Sequence, residues 1–215
     1  MEQNTKVTAI LEALKGDYPE PRCALEYQKD YELMVAVRLS QCTDARVNEV
    51  TPALFAAYPS LEALAEADIS HVEELVHSCG FYKNKAREIV LACRMLLTDY
   101  GGKVPSTMEE LLKLPGVGRK TANLLLGDLY GAPGAVVCDT HCIRISNRLG
   151  LAKGKEPEKV ERQLRAVLPP EESSDFCHRL VLHGRAVCTA RNPKCAVCSL
   201  APWCTYVNGA PAETV

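Results

Sequence analysis

Apolar residues recur at three- and four-residue steps through most of the chain, the mark of helices that bury one face. Ile89, Val90, Cys93, Leu96 and Leu97 form one such stripe, and Val160, Leu164, Val167 and Leu168 another. No stretch alternates with the two-residue period of a half-buried strand. The pattern predicts an all-α chain with helices near 5–15, 31–40, 45–57, 71–78, 82–99, 107–113, 119–130, 140–149, 157–168 and 173–187. With 215 residues, 47% of them hydrophobic, it can bury one large core or two small ones. No low-complexity segment and no repeat of solenoid period interrupts it.

Two of these helices are joined by Leu114-Pro115-Gly116-Val117-Gly118-Arg119-Lys120. Ser106 and Glu109 have capping-box spacing, Met108, Leu111 and Leu112 supply an apolar face, and Pro115 with Gly116 ends the helix. Gly116 and Gly118 are expected at positive backbone dihedrals, leaving the amides of Gly116, Val117, Gly118 and Arg119 open to a phosphate. The next helix, carrying Ala122, Leu124, Leu125 and Leu126, begins with Lys120 in its first turn. A lysine is a nucleophile only as the neutral amine, and a helix N-terminus disfavours the ammonium. Asp139 stands just before the helix predicted from Thr140, where backbone N–H groups keep a carboxylate ionised. On these grounds alone Asp139 is an N-cap and Lys120 a solvated charge.

Of eleven cysteines, Cys188, Cys195, Cys198 and Cys204 lie close together, with six, two and five residues between them. Pro193 and Pro202 interrupt the stretch, which has too few apolar residues to pack by itself. Four thiolates on an irregular loop suit a tetrahedral zinc or an iron-sulfur cluster, and the unequal gaps argue against a pair of Cys-x-x-Cys zinc knuckles. Disulfides rank third. The other seven, Cys23, Cys42, Cys79, Cys93, Cys138, Cys142 and Cys177, lack ligand spacing and read as small buried hydrophobes. No signal peptide follows Met1-Glu2-Gln3-Asn4, and no apolar run approaches membrane length, so a cytoplasmic, nucleoid-associated protein with no membrane partner is expected.

The net charge of −2 conceals a segregation. Residues 1–112 hold 11 basic and 18 acidic side chains, 113–155 hold 7 and 2, and 176–208 hold 4 and 0. The two basic segments carry the motifs, and their Lys and Arg side chains suit a polyanion such as a nucleic-acid backbone.

From roughly residue 25 to 205 the chain resembles the iron-sulfur branch of the helix-hairpin-helix family of base-excision DNA glycosylases. The likeness rests on the Leu114–Lys120 hairpin, Asp139-Thr140-His141-Cys142-Ile143-Arg144, Leu182-His183-Gly184-Arg185 and the four closing cysteines, in that order. It implies a two-lobed all-α fold, with a six-helix barrel domain at 25–133, an iron-sulfur cluster domain made of 1–24 and 134–215, and a DNA cleft between. It implies a [4Fe-4S] cluster on Cys188, Cys195, Cys198 and Cys204, with Lys120 as nucleophile and Asp139 as its acidic partner. The expected activity is that of a bifunctional DNA glycosylase and abasic-site lyase removing oxidised pyrimidines from duplex DNA, acting as a monomer. Gln41 and Phe81 match the positions that fill the gap left by a flipped nucleotide. His141, Arg144, Arg185, Arg191 and Lys194 are the remaining candidate DNA contacts. Two departures stand out: the family's Leu-Ser-Ala-Gln is one residue shorter here, in Leu39-Ser40-Gln41, and Cys138 and Cys142 replace aliphatic neighbours of Asp139. His71, His77, His178 and His183 are given no function. The competing readings are a monofunctional adenine or mismatch glycosylase, whose members typically lack the lysine, and a non-catalytic DNA-binding module.

Overall fold

The computed structural model describes residues 2–40 and 43–209, and the candidate wedge Gln41 lies outside them. Twelve α-helices are found among the described residues: α1 (Glu2–Asp17), α2 (Asp30–Leu39), α3 (Asp44–Ala57), α4 (Leu61–Ala65), α5 (Ile69–Val76), α6 (Tyr82–Asp99), α7 (Met108–Leu111), α8 (Arg119–Tyr130), α9 (Thr140–Leu149), α10 (Pro157–Val167), α11 (Ser173–Ala186) and α12 (Thr205–Asn208). The all-α expectation holds, and the described residues contain no strand. The chain divides into two compact units, Cys23–Tyr130 and the pair of segments Met1–Arg22 and Gly131–Val215.

The 23–130 unit is built from α2 to α8. Its core takes Leu33, Met34 and Val37 from α2, Val47 and Leu54 from α3, and Ile89, Val90, Cys93 and Leu96 from α6, all buried. Helix α6 packs against α4 and α5 along this stripe, and α2 packs against α8. The five residues of α4 escaped the periodicity because they complete little more than one turn. Ser60 starts that helix by accepting the N–H of Ala63 at 3.1 Å. Helix α5 begins at Ile69 rather than 71 because Asp68 accepts the Ser70 N–H at 3.0 Å.

Around the hairpin, the structure corrects two expectations. The helix before it is capped by Thr107, which accepts the Glu110 N–H at 3.3 Å, not by Ser106. Both pairs have the same spacing, but the Thr107 register buries Leu111 completely and leaves Glu109 free to pair with Lys113 at 3.4 Å. The second correction concerns the glycines. Gly116 has φ +76°, whereas Gly118 is not in the left-handed region and its carbonyl accepts the first bond of α8, from Ala122 at 2.9 Å.

The other unit pairs α9 with α11 and α1 with α10 and α11. Helices α9 and α11 meet at Gly184, where a Cβ would run into His141 Nδ1 and lie 3.0 Å from Arg144 Nη2. A side chain there would displace the His141 and Arg144 side chains. Arg179, 4% exposed, secures the end of α1 by donating to the Tyr18 carbonyl at 3.1 Å while facing Asp175 at 3.3 Å.

Candidate active site and metal centre

Lys120 is the second residue of α8 and its side chain is exposed. The helix behind it is anchored by Ala122, Asn123, Leu124, Leu125 and Leu126, all buried, so the amine sits on a fixed first turn. Val117 is buried and its N–H closes the preceding turn on the Leu114 carbonyl at 3.1 Å; Arg119 is half-buried, and Gly116 and Gly118 are exposed. A Cβ at Gly118 would meet nothing within 4 Å, so its small size is not demanded by packing inside this chain. Gly116 is different. A Cβ there would strike Arg38 Nε at 2.6 Å and Glu88 Oε2 at 2.7 Å, so the turn lies directly on an ion pair between α2 and α6. Sequence reasoning missed this support, since nothing in the spacing of residues 38, 88 and 116 links them.

Asp139 lies in the other unit, at the N-cap of α9. Its Oδ1 accepts the Cys142 N–H at 2.7 Å, and the side chain stays half-exposed. The bonded oxygen holds the carboxylate in place, and its mate remains available. On its apolar side stand Cys138, Cys142 and Cys177, all buried, with the Val137 N–H reaching Cys177 Sγ at 3.3 Å. Contact with Cys142 and burial raise the Cys138 thiol far above the usual range; the bond with Cys138 lowers that of Cys142, but contact with Cys177 and burial outweigh it, so both stay protonated. They pack as small buried side chains beside Asp139.

His141 and Arg144 are half-buried and bonded to each other, Arg144 Nη2 lying 3.1 Å from His141 Nδ1. The same nitrogen donates to the Cys188 carbonyl at 3.0 Å. Arg144 thus ties the helix behind Asp139 to the cysteine loop. Arg148, one turn on, does more. It donates to Cys188 Sγ at 3.1 Å, to the Thr189 carbonyl at 2.9 Å and to the Ala190 carbonyl at 3.0 Å, with Tyr206 against its guanidinium at 4.8 Å. Arg185, Arg191 and Lys194 are exposed, the last two on the loop that Arg148 braces.

The four cysteines surround one region: burial raises the Cys198 thiol, and Cys188, Cys204 and Cys195 act on it in the same direction. Among the described residues no three His, Cys, Asp or Glu side chains converge as ligands of a single metal ion. Four thiolates in one short loop suit either a tetrahedral zinc or an iron-sulfur cluster. His183, given no function from sequence, is 1% exposed and sits with Nε2 3.5 Å from Cys198 Sγ and Nδ1 3.4 Å from the Tyr18 hydroxyl. Its carbonyl accepts the Cys188 N–H at 2.8 Å. Burial lowers its basicity, so the neutral ring can place an N–H toward the Cys198 sulfur.

Phe81 is 78% exposed, the most exposed large apolar side chain among the described residues, and takes φ +47°. Of the histidines given no function, His71 accepts or donates at 2.8 Å with the Tyr58 hydroxyl and His77 stacks 4.4 Å from the Tyr82 ring. No helix is long and apolar enough to cross a membrane among the described residues.

These features have close counterparts in known proteins. Residues 34–170 match the HhH-GPD superfamily of base excision DNA repair proteins, and 188–204 match the iron-sulfur binding domain of endonuclease III. The chain is 50% identical over 200 residues to endonuclease III of Synechocystis sp., covering 93% of this chain and 91% of that protein. It is 40% identical over 198 residues to endonuclease III of Escherichia coli, covering 92% and 93%. Among solved structures, endonuclease III in a trapped covalent intermediate with DNA superposes with a TM-score of 0.89 at 38% identity, covering 96% of this chain and 97% of that one. A thermostable thymine-DNA glycosylase shares the fold, with a TM-score of 0.82 at 21% identity, covering 96% and 99%. The hairpin under Lys120, the capped Asp139 and the four-cysteine loop therefore belong to a member of the endonuclease III family of base-excision DNA glycosylases and abasic-site lyases, with an iron-sulfur cluster.

Proposed function

We propose that Lys120 and Asp139 are the reacting residues of this glycosylase and lyase, and that its substrates are oxidised pyrimidines and abasic sites in duplex DNA. The observation that carries the reading is that the chain holds both an exposed lysine on a rigid helix start and a half-exposed carboxylate fixed by an N-cap bond. Support also comes from the similar endonuclease III captured as a covalent intermediate with DNA. Lys120 Nζ bonds to the sugar carbon as that carbon's bond to the base breaks, and Asp139 stabilises the positive charge that develops on the sugar. Loss of the amine's protons and opening of the ring leave an imine between Lys120 and the sugar. Removal of a proton from the adjacent carbon then expels the 3′ phosphate by β-elimination. The lysine distinguishes this reading from a monofunctional glycosylase, which has no use for an amine at that position.

In DNA binding, the hairpin receives a backbone phosphate through the amides of Gly116, Gly118 and Arg119, the Val117 N–H being held by the Leu114 carbonyl, with Arg185, Arg191, Lys194 and the His141–Arg144 pair adding charge or hydrogen bonds. Phe81 and Gln41 enter the duplex where the nucleotide leaves it. Cys188, Cys195, Cys198 and Cys204 hold the [4Fe-4S] cluster, whose contribution is to order the loop that presents Arg191 and Lys194. Protein purified without oxygen should be brown and carry about four irons per chain, as a cubane cluster requires; stoichiometric zinc without iron would refute the assignment. The reading as a whole is tested by borohydride reduction on duplexes bearing a panel of lesions. Covalent capture on oxidised pyrimidines and abasic sites, with none on undamaged or purely mismatched DNA, is the expected pattern.

The cluster loop and the reacting residues should separate cleanly in kinetics. Replacing Arg191 and Lys194 together by Gln should weaken binding to damaged and undamaged duplexes alike and flatten the salt dependence by up to about two units. Turnover at saturating DNA should hardly change. A loss of turnover at saturation would mean that the loop does more than bind phosphate.

A further inference from the structure

Lys85 is fully buried, an unusual place for a lysine, whose charge is costly to remove from water. It sits in the first turn of α6, and its Nζ donates to two main-chain carbonyls, Leu39 at 3.0 Å and Cys79 at 2.6 Å. Both acceptors end helices. Leu39 is the last residue of α2, and Cys79 the last of a short 3₁₀ segment, His77–Cys79. The final carbonyls of a helix lack partners within it and carry its negative end, so one ammonium here satisfies two such ends.

The residues just beyond these two carbonyls give the arrangement its meaning. Two positions past Cys79 stands Phe81, and two positions past Leu39 stands Gln41. The step from Cys79 to Phe81 is strained: Gly80 has φ +65° and ψ 152°, and Phe81, with φ +47°, is the only residue other than glycine at positive φ among the described residues. A left-handed phenylalanine is strained, and its exposed ring gains nothing from burial to offset that. Lys85 grips both sides of the step, since its own N–H donates to the Phe81 carbonyl at 3.1 Å while its ammonium holds the Cys79 carbonyl.

We propose that Lys85 is a positioning residue for base-pair disruption, locking the end of α2 and the Cys79–Phe81 turn so that the Phe81 ring is presented to DNA already in its inserting geometry. It touches neither substrate nor reacting atoms. The ordering cost is met in folding, so insertion does not have to organise the turn at the moment of binding. The proposal rests on Phe81 entering the duplex.

The test is a double-mutant cycle read by fluorescence. The probe is a duplex with a tetrahydrofuran abasic analogue opposite 2-aminopurine, whose emission rises when its stacking is broken. Variants are assayed at a temperature where circular dichroism shows each to be folded. Phe81→Ala should cut the emission rise at saturating protein by about threefold or more, and Lys85→Met should do the same. The double variant should be no worse than Phe81→Ala alone, because both remove one function. Affinity of Lys85→Met for undamaged duplex should stay within about twofold of the parent. Should Lys85→Met not fold, Lys85→Gln takes its place, its amide being too short to reach both carbonyls. If Phe81→Ala leaves the emission unchanged, the insertion reading falls and this proposal with it. If Phe81→Ala acts but the Lys85 variant does not, or the two losses multiply, or undamaged DNA is bound equally poorly, Phe81 keeps its role and Lys85 is merely structural.

Discussion

Lys120→Gln should abolish covalent capture by borohydride and slow base release and strand cutting by at least about a thousandfold, while duplex binding persists. An amide nitrogen cannot form the imine, so no reducible intermediate exists. Its side chain is exposed and makes no packing contribution to α8, which is held by Ala122 to Leu126, and glutamine has nearly the helix propensity of lysine. Melting temperature should therefore stay within a degree or two of the parent. Binding should lose at most one phosphate-directed charge. Undiminished capture in the variant would place the nucleophile on another amine.

Asp139→Asn should slow base excision on the order of a hundredfold or more, about 3 kcal/mol of transition-state stabilisation, while leaving affinity for DNA close to that of the parent. This substitution is informative because Asp139 also has a structural task, accepting the Cys142 N–H that starts α9. Asparagine caps a helix as well as aspartate does, so the fold and the placement of His141 and Arg144 survive. Only the negative charge is lost, and that charge is needed when the sugar becomes cationic. Cutting at a preformed abasic site should fall much less, since the base is already gone. A variant that mainly loses affinity, or that loses both activities equally, would mean that Asp139 acts through structure and not through charge.

The asymmetry between these two residues also shows how each was legible. Asp139 could be read as an N-cap because the preference of short acceptors for helix starts is local, and the bond to Cys142 bears it out. Lys120 could be placed in a first turn because Pro115 and Gly116 must stop one helix before Arg119 starts another. Neither local rule says that a residue reacts; the proposal that these two do rests on motifs in a fixed order, most of them within the ranges the family matches cover.

By itself, the sequence determined the helical class, most helix positions, the hairpin and the cysteine-rich stretch 188–204, because each depends on neighbours within about one turn or one loop. Helix α6, for example, was bounded at Tyr82 and Asp99 by its apolar period alone. Only the tertiary structure decided which partners distant residues find. The choice of Thr107 over Ser106 as cap turned on which register buries Leu111, a matter of packing between helices. The Arg38–Glu88 pair beneath Gly116, the grip of Arg148 on Cys188 and the contact of His183 with Cys198 join residues tens of positions apart or on different helices. Lys85 is the plainest case, for a lysine in the first turn of an amphipathic helix reads as a solvated charge, and only the convergence of two helix ends draws it inside.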